Sequence, residues 1–186
     1  MRTARERVQL LSRSPVCKSF DKTEGEFQTL VVAGRNEELR RELALKDFLH
    51  PTRVLGFASN MHELMGVADL IITKPGGLTT SEALALGKPI FILNPIPGQE
   101  AANSDFLLER GAAAKVNRVD DLPYRLQQLF GSKKLSEMAA AAKSLGRPFA
   151  AKEICREVIN RFESRPAKRL LQEVILTQRK KTQSIA

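Results

Sequence analysis

The sequence predicts an α/β fold built on a mainly parallel, doubly wound sheet, and three observations carry that expectation. From residue 28 onward, short β-rich apolar runs alternate with stretches of helical periodicity. Five such runs are separated by helix-length segments, which requires crossover connections and therefore parallel strands. The unusual glycines, prolines and polar residues gather in loops that follow three of the runs, where sheets of this kind bind ligands.

The first run is Thr29-Leu30-Val31-Val32-Ala33, followed by a predicted helix over residues 36–48 and a second strand at Arg53-Val54-Leu55-Gly56. A helix over 59–67 leads to the strand Asp69-Leu70-Ile71-Ile72, and a helix over 79–86 to Pro89-Ile90-Phe91-Ile92-Leu93. A helix over 101–110 precedes the short strand Ala113-Ala114-Lys115-Val116. Beyond it the periodicity is helical throughout, over 120–130, 132–144, 150–162 and 167–178, with Asp120 or Asp121 and Ser132 placed as N-caps. The last of these is amphipathic and basic, suited to docking outside the domain. Residues 1–26 fit least well: Val8-Gln9-Leu10-Leu11 suits a helix or a strand, but Ser12-Arg13-Ser14-Pro15 and Asp21-Lys22-Thr23-Glu24-Gly25 interrupt any long element. The expected division is an irregular basic segment over 1–26, a ligand-binding domain over 27–163 and a basic helical tail over 164–186.

With 186 residues, 42% hydrophobic and 27% charged, the chain suits one globular domain, and its apolar runs fall well short of the ~20 residues of a membrane span. The start Met1-Arg2-Thr3-Ala4-Arg5 lacks a secretory pattern, and Cys17 and Cys155 form neither a CxxC pair nor a clustered metal set. A cytoplasmic protein with ordinary thiols is expected. The net charge of +9 sits at the ends: residues 1–22 carry +4, residues 160–186 carry +5, and the segment between sums to zero. A phosphate-tracking surface would place its cations on the folded core, with stacking aromatics, yet Trp is absent and Tyr124 is the only Tyr. Nucleic-acid binding is therefore not expected. Basic ends suit peripheral contact with an anionic membrane, each Lys or Arg contributing about 1 kcal/mol near the headgroups; solvated tails that keep the chain soluble explain them equally well.

Three loops carry the chemistry. In Thr73-Lys74-Pro75-Gly76-Gly77-Leu78-Thr79-Thr80-Ser81-Glu82-Ala83, two glycines follow a strand and open a helix, so a ligand can approach the backbone and the helix N–H groups face a phosphate. Thr79, Thr80 or Ser81 is placed to cap that helix. Glu82 is placed either to accept two hydrogen bonds from vicinal ribose hydroxyls or to close a capping box with Thr79, and spacing alone slightly favours the box. In Asn94-Pro95-Ile96-Pro97-Gly98-Gln99-Glu100-Ala101-Ala102-Asn103, the prolines stiffen a loop presenting Gln99, Glu100 and Asn103, side chains that read sugar hydroxyls or simply occupy a helix surface. The third, Gly56-Phe57-Ala58-Ser59-Asn60-Met61, offers backbone groups to a base edge with Phe57 or Met61 as an apolar wall, and by itself equals an ordinary strand-to-helix turn.

At these residues the chain resembles the carboxy-terminal domain of the monogalactosyldiacylglycerol synthase and processive diacylglycerol glucosyltransferase group, a family that includes the lipid II-forming N-acetylglucosaminyltransferase. The matching strings are Val32-Ala33-Gly34-Arg35-Asn36, Val54-Leu55-Gly56-Phe57, Met61-His62-Glu63-Leu64-Met65, Ile72-Thr73-Lys74-Pro75-Gly76-Gly77-Leu78-Thr79, Ser81-Glu82-Ala83 and Pro97-Gly98-Gln99-Glu100. The resemblance implies the carboxy-terminal, Rossmann-like half of a GT-B glycosyltransferase that binds a UDP-hexose without an essential metal or other cofactor and transfers glucose or galactose to a diacylglycerol-type lipid with inversion. It implies that the backbone at Phe57 and Ala58 meets uracil and that Glu82 meets the ribose. It further implies that Gly76, Gly77, Leu78 and Thr79 meet the diphosphate and that Gln99 and Glu100 meet the hexose; Lys74 is placed either to add to the diphosphate site or simply to face solvent. The family's first strand and Gly-rich loop are not visible before residue 28, and its amino-terminal acceptor domain, which supplies the general base and the lipid groove, is not in the sequence. No catalytic base is therefore assigned. The expected alternatives are a fragment of a lipid glycosyltransferase, a half-enzyme inactive without a separate acceptor subunit, and a non-catalytic UDP-sugar-binding or structural relic.

Overall fold

A computed structural model describes residues 6–10, 16, 19, 22–93, 96–130 and 132–163. Its centre is a six-stranded, wholly parallel sheet, formed by β1 (Glu6–Leu10), β2 (Phe27–Val32), β3 (Thr52–Leu55), β4 (Leu70–Thr73), β5 (Ile90–Leu93) and β6 (Ala113–Val116). Helices α1 (Glu37–Ala44), α2 (Met61–Val67), α3 (Gly77–Ala85) and α4 (Gln99–Glu109) connect successive strands from β2 onward. A 3-10 turn at Val119–Asp121 then leads into α5 (Leu122–Leu129), α6 (Lys133–Leu145) and α7 (Ala150–Glu163).

The strand order β3-β2-β1-β4-β5-β6 corrects the expectation that the first strand is missing and that residues 1–26 are wholly irregular. β1 is the middle of the sheet, with Val8 in register with both Thr29 of β2 and Leu70 of β4. A doubly buried parallel strand normally reads as a continuous apolar run. Glu6, Arg7 and Gln9 break that run, which is why the pattern concealed it. Residues 11–15, which follow β1 in the chain, lie outside the described residues, as do Asn94, Pro95 and the predicted helix over 167–178.

β4 and β5 carry the core because every one of their side chains is buried. Successive residues point to opposite faces. Leu70, Ile72, Phe91 and Leu93 accordingly join Phe27, Val31, Leu43, Leu122 and Leu126 in one apolar cluster, while Ile71, Ile90 and Ile92 join Met65, Ala83, Leu107 and Ala142 in the other. Fully burying each such large side chain stabilises the fold by about 1.5–3 kcal/mol, and together the two clusters fix the sheet between two layers of helix.

Helix starts follow local chemistry unevenly. Asn36 caps α1, its Oδ1 accepting from Leu39 N–H at 2.9 Å. Asp121 and Ser132 occupy the expected cap positions of α5 and α6 without bonding as side-chain caps; Ser132 Oγ instead donates to Leu129 O at 2.8 Å.

Contacts divide the chain into two compact units, Met1–Pro148 and Phe149–Ala186. Gly146, Arg147 and Pro148 separate α6 from α7 and supply the break. In the second unit α7 exposes Ile154, Val158 and Phe162, an apolar stripe at helical spacing. No helix among the described residues is long and apolar enough to cross a membrane.

Candidate functional site

Parallel strands all point their carboxyl ends the same way, so the loops after β2, β3, β4 and β5 share one edge of the sheet. The sequence-predicted loops follow β3, β4 and β5. The first two are consecutive in the chain but not neighbours in the sheet, because β2 and β1 lie between β3 and β4. At ~4.8 Å per strand, the loop after β3 stands about 14 Å from the loop after β4. The site is therefore a long rim, with the Gly34-Arg35-Asn36 turn after β2 along its course.

The loop after β4 holds its strongest electrostatic feature. α3 begins at Gly77, two residues earlier than expected, with Gly76 as its N-cap. This corrects the capping assignments: Thr79, Thr80 and Ser81 lie inside the helix, no side chain caps it, and Glu82 sits beyond the first turn, too far along to close a capping box. The hydroxyls point backwards instead, Thr80 Oγ1 donating to the carbonyls of Gly76 and Gly77 at 2.9 and 3.0 Å, and Ser81 Oγ to that of Gly77 at 2.8 Å. Among the described residues, the N–H groups of Gly77, Leu78 and Thr79 have no acceptor. Three aligned donors at the positive end of a helix make this start a candidate anion site.

Neither glycine is needed by the fold. Gly76 has φ of −68°, Gly77 has no positive φ, and a Cβ at either would meet nothing within 4 Å. Leaving out side chains there keeps the donors accessible. Leu78 is 84% exposed, Lys74 and Thr79 are half-buried, and Glu82 is exposed with no hydrogen bond to its carboxylate among the described residues.

The loop after β5 is held from within. Gly98 caps α4 at φ 97° and ψ −127°, a conformation open essentially to glycine alone. Glu100 Oε2 accepts from Ile96 N–H at 2.8 Å, so one of its oxygens closes the loop. Asn103 Nδ2 donates to Pro75 O at 2.9 Å and ties α4 to the turn that opens α3. The carboxamide thus braces the anion site from the next helix. Gln99, first in α4, is exposed, and its amide has no such restraint among the described residues. Substituting Asn103→Ala removes the brace, and chemical denaturation is expected to register a loss of about 1 kcal/mol.

At the β3 end, Phe57 is 67% exposed, Ala58 is half-buried, and Met61 opens α2 while packing on the apolar cluster around Met65. Met61 thus serves the core as well as the loop. Arg35, on the turn after β2, places its guanidinium 5.4 Å from the Phe57 ring centroid, within cation–π range. Sequence reasoning gave Arg35 no role. Its signal was its place directly after a strand, which gains meaning only once β2 is known to adjoin β3.

Comparison with known proteins agrees with this architecture. The profile of the glycosyltransferase family 28 C-terminal domain matches residues 7–158. The chain is 38% identical over 151 residues to a processive diacylglycerol beta-glucosyltransferase of Bacillus licheniformis, covering 80% of the chain and 39% of that protein. The crystal structure of Acinetobacter baumannii MurG superposes with a TM-score of 0.71 at 21% identity, covering 86% of the chain and 51% of MurG. Anabaena Alr3699/HepE, solved in complex with UDP-glucose, superposes with a TM-score of 0.60 at 16% identity, covering 87% of the chain and 50% of that protein. The chain thus spans between two-fifths and half of these relatives.

Proposed function

The chain belongs to the glycosyltransferase family 28 C-terminal domain family, and on that premise we propose that it is the donor-binding half of a UDP-sugar-dependent hexosyltransferase acting on a diacylglycerol-type lipid. The observation that carries this reading is the uncapped start of α3, where the free N–H groups of Gly77, Leu78 and Thr79 stand on the strand-end rim one helical turn before the exposed Glu82.

A nucleoside diphosphate sugar fits the rim in order. Uracil pairs with the backbone at Phe57 and Ala58, with Met61 on its apolar side. The ribose hydroxyls donate to Glu82, and the diphosphate accepts from the α3 start with Lys74 beside it. The hexose lies over the β5 loop, within reach of Gln99, the remaining oxygen of Glu100, and Asn103. The span of about 14 Å between the β3 and β4 loops suits a base at one end and a diphosphate at the other.

In the reaction we propose, an acceptor hydroxyl attacks the anomeric carbon as UDP departs from the opposite side, inverting the centre. Negative charge grows on the departing diphosphate, and prealigned helix donors stabilise it without reorganising. That contribution replaces an essential cation. The general base and the lipid groove are assigned to structure outside these residues, either a further domain or a separate acceptor subunit. The same reading places the protein in the cytoplasm at a membrane face.

Calorimetric titration with UDP and UDP-hexoses tests the proposal. Glu82→Ala removes a charged acceptor of ribose hydrogen bonds, worth about 1.5–3 kcal/mol, so UDP affinity should fall roughly 10- to 100-fold. Loss of activity alone would not suffice, because the acceptor site lies elsewhere. No heat and no melting shift with wild-type protein at saturating UDP would remove the donor reading.

A further inference from the structure

A polar cavity of about 310 Å³ lies along the outer edge of the sheet beside β6, away from the β3 and β4 loops. Its walls carry Lys115 from the edge strand, Arg125 and Gln128 from α5, Lys134 from α6, and Asn117 from the loop between strand and helix; Phe91 contributes to its apolar floor. No Asp or Glu among the described residues lines it. Among the described residues, the ion pairs fall elsewhere, on Arg40, Arg118 and Arg161, and leave these three cations without a carboxylate.

Three cations line one depression, Lys115 half-buried and Arg125 and Lys134 exposed, so a single anion in it lies beside positive charge from three elements. The residues 23–159 that contain them carry no net charge, so this local excess is not a general basic composition. From the edge strand come one Lys and backbone groups that no further strand pairs among the described residues. Arg125 supplies a planar fork matched to two oxygens of a phosphate, and the lysines supply point charges. Gln128 Nε2 donates to Tyr124 Oη at 2.8 Å, which fixes its amide and turns the carboxamide into an oriented part of the wall.

We propose that this cavity is a phosphate-group site, separate from the donor rim, that takes a phosphoester: the headgroup phosphate of an anionic phospholipid or a small soluble phosphomonoester. The cavity has room for a phosphate and its glycerol, and its open mouth leaves the remainder of a lipid outside. It does not depend on the donor reading, since none of its residues lies on the α3 start or the β3 and β5 loops.

Two probes and two matched variants of the full chain test the site. The probes are glycerol 3-phosphate by calorimetry and vesicles of phosphatidylcholine, with or without phosphatidylglycerol, by co-sedimentation. The pocket variant carries Lys115→Gln, Arg125→Gln and Lys134→Gln. The matched variant loses the same charge at the exposed positions Arg41→Gln, Arg147→Gln and Lys152→Gln. The pocket variant should bind at least one probe roughly tenfold more weakly, with the matched variant little changed. Selective loss on phosphatidylglycerol vesicles identifies a lipid headgroup; selective loss with glycerol 3-phosphate alone identifies a small phosphoester. Equal losses in both variants, or no binding of either probe by the wild type, would overturn the site. Arg125→Gln by itself gives the same comparison should the triple substitution impair folding.

Discussion

Gly146→Ala is expected to destabilise the domain by about 3 kcal/mol, the upper part of the usual range for overpacking. Gly146 has an ordinary extended conformation at φ −62° and ψ 141°, so alanine is tolerated by its backbone. The obstacle lies across the interface. An added Cβ would stand 2.8 Å from the Leu84 carbonyl carbon, 3.1 Å from Ala85 Cα and closer still to the Leu84 oxygen. All three are backbone atoms of α3, which cannot swing aside as a side chain would, so α6 must lift away or α3 must shift. Either movement disturbs the helix whose start forms the anion site. Urea unfolding should show a lower midpoint with an unchanged slope. Gly66→Ala provides the contrast, because a Cβ there meets nothing within 4 Å in the body of α2, and a gain of about 0.5–1 kcal/mol is expected. A similar midpoint for both variants would mean that α3 and α6 do not pack as closely as described.

Gly77→Val separates binding from stability in the opposite sense. A valine at the first position of α3 places its Cβ where nothing lies within 4 Å and needs no positive φ, so the unfolding free energy should change by less than about 1 kcal/mol. Its branched side chain, however, stands over the N–H groups of Gly77, Leu78 and Thr79. Displacing a diphosphate from charge-assisted hydrogen bonds costs about 1.5–3 kcal/mol for each bond lost, which places the fall in UDP affinity at roughly 10-fold or more. Retained UDP affinity in Gly77→Val would show that the nucleotide does not use the start of α3.

The contrast between these two glycines shows what could be read from the sequence. The Gly76-Gly77 pair stood out because glycine after a strand and before a helix has a chemical meaning that needs no tertiary structure. Gly146 did not, since the reason for it is an atom 62 residues away in sequence, at Leu84. Strands β4 and β5 were legible as unbroken apolar runs, as burial on both faces demands. β1 was hidden by its charged and polar residues. Missing it also obscured the strand order, so the separation of the β3 and β4 loops and the place of Arg35 beside Phe57 could not be inferred.

Capping was the other point at which local pattern misled. Thr79, Thr80, Ser81 and Glu82 contain the spacing of a capping box, yet the helix starts earlier and uses the hydroxyls to bind carbonyls of its first residues. This early start leaves Glu82 exposed and the first N–H groups open. Asn103 and Glu100 were read as sugar-facing residues, and the geometry adds a structural duty to each: one braces Pro75, the other closes the turn at Ile96. A residue can do both only where its second polar atom stays accessible, which is the case the hexose position requires.

The most direct test of the donor rim is an amide-resolved NMR titration of the isotopically labelled chain with UDP. The amides of Gly77, Leu78 and Thr79 should shift together with that of Ala58 at the far end of the rim, on one saturation curve, while Leu126 in the opposite apolar cluster remains still. Saturating UDP that leaves those four amides in place, or moves residues away from the strand-end rim instead, would contradict a donor site there.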